Sequence, residues 1–125
     1  MIPVIGSDLM VCNSAAFERT AFYLPPEAVA SYLQAIIERG EALLRGLQEP
    51  DALVQNGDEL ADAAHTIAGS AGMFGFERLT TMGRRFERGV HAGAADLQAL
   101  THGLHAALEA TLEVLRDRMR ISAEA

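Results

Sequence analysis

An apolar stripe of helical period runs through residues 97–119, whose sequence is LQALTHGLHAALEATLEVLRDRM. Its large apolar side chains return every three or four residues, the spacing that places them along one side of an α-helix. They are Leu97, Leu100, Leu104, Leu108, Leu112, Leu115 and Met119. The segment therefore predicts a long amphipathic helix over residues 96–120, and its apolar side must be covered by other elements.

The preceding sequence supplies the elements that cover it. All four prolines lie in the first 50 residues, and the remainder is rich in the helix-forming residues Ala, Leu, Glu and Arg. No segment alternates β-branched and polar residues as a strand would. Four further helices are predicted, over residues 14–22, 26–49, 56–74 and 77–92. The fold class is thus all-α: an antiparallel, up-and-down four-helix bundle with a short N-terminal helix packed on one end.

The third predicted helix has clear signals at both ends. Asn56 is followed three residues later by Glu59, as in a capping box, and Gly75 is placed to end the helix. The whole chain, residues 1–125, is predicted to form a single domain, with a loosely ordered N-terminus over residues 1–12.

Composition and charge exclude several classes of protein. The net charge is −7, from ten arginines, no lysine and seventeen acidic residues, and such a chain repels nucleic acid and anionic membrane surfaces. The N-terminus lacks the pattern of a secretory signal, and no apolar run is long enough to span a bilayer. Cys12 has no second thiol to pair with. We expect a soluble, cytoplasmic protein.

One histidine lies away from the apolar stripe of the third helix. That stripe consists of Leu60, Ala64, Ile67, Ala71 and Phe74. Counted from Leu60 at 100° per residue, His65 falls near 140°, so we expect its ring to face solvent. The same count places mostly small residues around it: Ala61, Gly69 and Gly72, with Asp58 and Asp62 at the border.

Gly69 and Gly72 cost the helix about 0.5–1 kcal/mol each relative to alanine, so helix stability alone does not select them. Two interpretations remain open. Either the glycines allow a neighbouring helix of the same chain to approach closely, or they clear the surface so that a second protein can reach His65.

An exposed imidazole has three common uses: general base, metal ligand or phosphoryl acceptor. A base needs a cleft and a metal needs converging ligands, and the spacing around His65 indicates neither. His91, His102 and His105 are better explained as solvated histidines than as metal ligands, and no metal site is predicted. A phosphoryl acceptor needs little beyond access and a polar or cationic neighbour.

Residues 65–79, HTIAGSAGMFGFERL, resemble the signature of histidine-containing phosphotransfer domains, His-x-Leu-Lys-Gly-Ser-Ser/Ala followed by Gly and Leu. The matching positions are His65, Ile67, Gly69, Ser70, Ala71, Gly75 and Leu79. The resemblance extends over nearly the whole chain, because that family is also a four-helix bundle with a short additional helix.

The resemblance implies a phosphorelay intermediate. His65 would accept a phosphoryl group from an aspartate of one receiver domain, in a hybrid histidine kinase or a response regulator, and pass it to another. The Mg²⁺ would belong to the receiver domain, and this chain would need no cofactor of its own. It would act as a phosphoryl carrier without an ATP site, and we expect a monomer.

The sequence departs from the signature at one position. Relatives usually have lysine three residues after the histidine, and Ala68 stands there. Arg84, Glu87 and His91 form a stripe on the next helix, and Glu87 aligns with a polar residue that lies near the histidine in relatives. One hypothesis is that Arg84 supplies the missing cation; the alternative is a solvated Arg84–Glu87 ion pair. The predicted site is thus His65 with Ala68, Gly69, Gly72, Arg84 and Glu87.

A second function is compatible with the motif: an isolated phosphoacceptor module of a chemotaxis-type histidine kinase. Such a module receives phosphate from an ATP-binding domain, and the chain has no Gly-x-x-x-x-Gly-Lys loop. The length favours the relay intermediate. A dimerising kinase helix pair is disfavoured, because its histidine is followed by an acidic residue and then by proline at the fifth position, where Thr66 and Ser70 stand here.

Overall fold

The computed structural model describes the backbone of residues 10–124 and the side chains of residues 10–121. Within this range the protein is all-helical, with no strand, as the sequence predicts. The helices are α1 (Ser14–Phe22), α2 (Pro26–Gln48), α3 (Ala52–Met73), α4 (Glu77–Ala92) and α5 (Leu97–Glu124). Of the N-terminal segment predicted to be loosely ordered, residues 1–9 lie outside the described part of the chain.

Local chemistry explains most helix ends. The side chain of Asn13 caps α1 by accepting a hydrogen bond from the backbone N–H of Ala16. Pro26 occupies the first turn of α2, where its missing N–H costs nothing. Gly75 and Gly93 follow α3 and α4 with φ of 79° and 62°, a left-handed conformation that glycine adopts without strain.

The start of α3 differs from the prediction. The helix begins at Ala52 and not at Asn56, after Asp51 in a left-handed conformation with φ of 57°. Asn56 has non-helical angles (φ −133°, ψ 26°) and marks a kink. The polar signal at Asn56 therefore identified a real break in the helix, but one extra turn precedes it.

Each of the four long helices contacts two of the others: α2 and α4 each pack against both α3 and α5. The largest side chains between them are fully buried: Ile36, Ile67, Phe74, Phe76, Leu79, Phe86, Leu104, Leu108, Leu112 and Leu115. The predicted stripe of α5 is buried over Leu104 to Leu115, whereas Leu97, Leu100 and Met119 are half-buried. Burial of this apolar set is the main favourable term in folding.

Helix α1 lies against the end of α3. The Phe17 ring contacts Phe74 and Phe76, with centroids 5.5 and 6.2 Å apart, and the Thr20 hydroxyl donates to the carbonyl of Met73. The backbone N–H of Asn13 donates to the carbonyl of Gly75 over 2.8 Å. The start of the described chain is therefore fixed to the α3–α4 connection.

Cys12 packs at the border of the core as a small apolar side chain. Burial raises the pKa of the Cys12 thiol above its ordinary value. In the described part of the chain, none of the helices has the length and apolar character that crossing a membrane requires.

Candidate functional site

His65 lies on α3 with its side chain 71% exposed, between the buried residues Ala64 and Ile67 on the same helix. The predicted orientation of the ring towards solvent is confirmed. Because the backbone on both sides belongs to a regular, well-packed helix, the ring projects from a rigid support.

Glu87 of α4 holds the His65 ring. Its Oε1 lies 3.0 Å from Nδ1 of His65, and its side chain is only 20% exposed. A carboxylate accepts hydrogen bonds and does not donate them, so Nδ1 is the donor in this pair. In the neutral ring the lone pair then belongs to Nε2, the nitrogen away from Glu87. The site thus presents a nucleophilic nitrogen in a fixed orientation.

Close contact between α3 and α4 brings Glu87 to His65. A Cβ built on Gly83 would lie 3.2 Å from both the carbonyl oxygen of Ala64 and the Cβ of Ala68, so only glycine permits this approach without a shift. One turn earlier, the Thr80 hydroxyl donates to the carbonyls of Phe76 and Ala68, over 2.9 and 3.4 Å. Sequence reasoning missed the role of Gly83; its place inside a helix was the available signal.

The two glycines beside His65 have different surroundings. A Cβ at Gly69 would meet nothing within 4 Å, whereas one at Gly72 would lie 3.3 Å from the Thr80 hydroxyl. Both residues are exposed. Gly69 therefore clears the surface next to His65, as one interpretation of the sequence proposed, and Gly72 also accommodates the neighbouring helix, as the other did.

The family model of the Hpt domain matches residues 27–118, from the second residue of α2 into α5. The chain belongs to the Hpt domain family. Hpt domains are phosphotransfer modules of two-component signalling and interact with receiver domains. Comparison with curated proteins and with solved structures gives no significant match.

Two residues predicted to surround His65 of this Hpt domain lie elsewhere. Ala61 is 0% and Ala68 is 1% exposed, so neither belongs to the open surface beside His65. The helical count from Leu60 treated α3 as burying one stripe, but α3 packs against α4 as well as α2 and so buries a wider arc. The side chain of Ala68, at the position of the family lysine, faces Gly83 of α4.

Arg84 of this Hpt domain is exposed and lies one turn before Glu87 on α4. Among residues 10–121 no carboxylate lies within ion-pair distance of Arg84, so the alternative Arg84–Glu87 pair is not formed. The Glu87 carboxylate is directed to His65 instead. Arg84 therefore presents an exposed guanidinium one helical turn from Glu87.

The remaining histidines of the Hpt domain lie on α4 and α5, and His91 follows Glu87 by one turn of α4. His91 and His102 are exposed. His105 is half-buried, with Nδ1 3.1 Å from Glu109 Oε1 and Nε2 3.3 Å from Gln48 Nε2. Across the described side chains, no three His, Cys, Asp or Glu residues converge as metal ligands would.

Proposed function

We propose that this Hpt domain is a phosphorelay intermediate: His65 takes a phosphoryl group from an aspartate of one receiver domain and gives it to an aspartate of another. The observation that carries the proposal is the exposed His65 ring, whose Nδ1 is held 3.0 Å from Glu87. A carrier needs a nucleophile that two different partners can reach, and an open helical surface provides it. A general base would instead need a substrate cleft around the ring.

The chemical step is a displacement at phosphorus. The Nε2 lone pair of His65 forms the new N–P bond while the P–O bond to the donor aspartate breaks, and the aspartate leaves as a carboxylate. The proton on Nδ1 stays in its hydrogen bond to Glu87. Because bonding at Nε2 gives the ring positive character, the Glu87 carboxylate stabilises it by direct charge compensation. The second transfer reverses these bond changes on another receiver domain.

The partner supplies what this chain lacks. As in relatives, Mg²⁺ would lie on the receiver domain, and this chain would require no cofactor of its own. Its contribution is the positioning of one nitrogen on a rigid helix and a surface left open at Gly69. In this role the domain is a phosphoryl carrier that needs no ATP site of its own.

Arg84 is proposed to replace the family lysine as the cation near the phosphoryl group. Position 68 holds alanine, which carries no charge, so the cation in this proposal comes from another position. Two contacts between α3 and α4 lie on either side of Gly69: His65 bonds Glu87 one turn before it, and Gly72 approaches Thr80 one turn after it. The open surface at Gly69 is a gap between these contacts. Arg84 lies between Thr80 and Glu87 on α4, within about 60° of both by helical count, and we place its guanidinium over this gap.

The proposed architecture is the antiparallel four-helix bundle with α1 packed at one end. The ring of contacts α2–α3–α4–α5 and the contact of α1 with α3 support it. We further propose that the domain acts as a cytoplasmic monomer and binds neither nucleic acid nor membranes, in keeping with its net charge of −7.

Phosphoryl transfer to His65 tests the function directly. Purified receiver domains are phosphorylated, freed of the small-molecule donor and mixed with the full chain, and acid-labile label on the chain is measured. We expect transfer to the wild type and none to His65→Gln, whose unfolding free energy should stay within about 0.5 kcal/mol of the wild type because the site is exposed. Label retained by His65→Gln would refute the assignment.

The same assay separates the carrier from the kinase module. A parallel reaction contains a histidine-kinase catalytic domain and ATP in place of the receivers. Labelling only in that reaction would identify the chain as a kinase phosphoacceptor module instead of a relay intermediate.

A further inference from the structure

The charges of the domain are unevenly distributed. Although the chain carries −7 overall, four of its ten arginines lie on the 16 residues of α4: Arg78, Arg84, Arg85 and Arg88. The only acidic residues of α4 are Glu77, which accepts from the Asn13 side chain over 2.9 Å, and Glu87, which holds His65, so the arginines outnumber them by two. Helix α4 is thus positively charged, although the protein as a whole is acidic.

Two of these arginines lie on the open side of α4 beside the phosphoacceptor. Counted at 100° per residue, Arg84 and Arg88 lie about 60° and 100° around the helix from Glu87, and the buried Phe86 lies about 100° in the other direction. Both arginine side chains are exposed. Within the described residues neither has a carboxylate at ion-pair distance. We call this pair the α4 arginine strip.

The opposite border of His65 carries the opposite charge. Asp58 and Asp62 precede His65 on α3 by seven and three residues, and both are exposed. Seen from a partner, His65 therefore lies between a negative border on α3 and the positive α4 arginine strip. Such an arrangement fixes the orientation of a charged partner as well as attracting it.

We propose that the α4 arginine strip is the docking surface for the acidic rim of a receiver domain and orients that domain over His65. The inference rests on the proposed function and goes beyond it by stating where the partner lies and what charge its contact surface carries. The partner brings carboxylates to His65 by its chemistry, because its phosphoryl group is carried on an aspartate. A surface with further carboxylates beside that aspartate would meet Arg84 and Arg88, and in the reverse orientation it would meet Asp58 and Asp62.

The test reverses one charge in the strip. Arg88→Glu is chosen because Arg84 is already proposed to contact the phosphoryl group. The matched control is Arg45→Glu, which changes the net charge equally at an exposed position of α2. For each protein, the second-order rate of phosphoryl transfer from a phosphorylated receiver domain is divided by the rate of direct labelling by phosphoramidate. The receiver is one that transfers to the wild type, and rates are measured at several salt concentrations.

We expect Arg88→Glu to lower this ratio on the order of tenfold at low salt and to flatten its dependence on salt, whereas Arg45→Glu changes it less than about twofold. Equal effects of the two substitutions would show that only net charge matters. That result would overturn the proposed docking surface and leave the carrier function standing. Failure of every receiver to label the wild type, or labelling that persists in His65→Gln, would overturn the carrier function and the docking surface with it.

Discussion

Gly83 of α4 lies directly against Ala68 of α3, so close that a β-carbon on the glycine would be 3.2 Å from that of the alanine. This contact sets the distance between the two helices at the level of His65. It also places the side chain of Ala68, at the position of the family lysine, in the interface between the helices. The geometry of His65 and Glu87 depends on this contact between two of the smallest residues.

Replacing Gly83 by leucine should therefore destabilise the domain. The added side chain meets the backbone carbonyl of Ala64 as well as Ala68, and backbone cannot move aside cheaply. We expect a loss of about 1–3 kcal/mol in unfolding free energy, measured by urea denaturation. Gly57→Leu is the control, because a Cβ at Gly57 meets only Val90 at an ordinary 3.6 Å. Equal losses in both variants would contradict the special role of Gly83.

Glu87→Ala should slow labelling of His65 by phosphoramidate about fivefold, the equivalent of one hydrogen bond of about 1 kcal/mol. Without the carboxylate the ring loses its orientation, its fixed tautomer and the charge that stabilises the phosphorylated form. Glu87→Gln keeps an oxygen that accepts from Nδ1 but removes the charge. Its labelling rate should therefore fall between the rates of the wild type and Glu87→Ala. Nitrogen NMR of the His65 ring measures the tautomer independently. A Glu87→Ala protein with the wild-type rate and tautomer would remove Glu87 from the mechanism.

The sequence was a good guide to features that repeat along a helix. The apolar stripe of α3, the boundaries of α4 and the exposure of His65 all follow from a period of 3.6 residues and from end signals such as Gly93. The contact between Glu87 and His65 followed only from the alignment implied by the family resemblance. Periodicity within one helix carries no information about which residue of another helix lies opposite.

The predictions that were wrong concern features that the local sequence of a single helix does not determine. Ala61 and Ala68 are buried because α3 packs against two helices, and the small residues at 64 and 68 let α4 approach. An alanine is compatible with exposure and with burial alike, so its identity does not decide between them. The extra turn before Asn56 depends on a left-handed Asp51, a conformation that the local sequence does not demand.

Arg84→Ala should shorten the lifetime of phosphohistidine in the isolated domain by up to about fivefold, the range of an exposed charge–charge contact. Loss of acid-labile label from the purified phosphorylated chain measures it. Arg84→Lys keeps the charge and should retain most of the lifetime. Arg45→Ala, which removes a charge from α2, should leave the lifetime unchanged. If Arg84→Ala decays at the wild-type rate, the cation at this site is not Arg84.

Substitutions at Gly69 distinguish two effects: access of the partner to His65, and the chemical reactivity of the His65 ring. A Cβ there meets no neighbouring atom within 4 Å, so Gly69→Ala and Gly69→Gln should each raise the unfolding free energy by about 0.5–1 kcal/mol through better helix propensity. Gly69→Gln should nevertheless slow transfer from a receiver domain, because the long side chain occupies the surface on which the partner must lie. Gly69→Ala, with a single methyl group, should slow it much less.

Since phosphoramidate is small enough to reach Nε2 past either side chain, direct labelling should change little in both variants. A Gly69→Gln protein that is more stable yet accepts phosphoryl groups from a receiver at the wild-type rate would show that the glycine does not serve the partner.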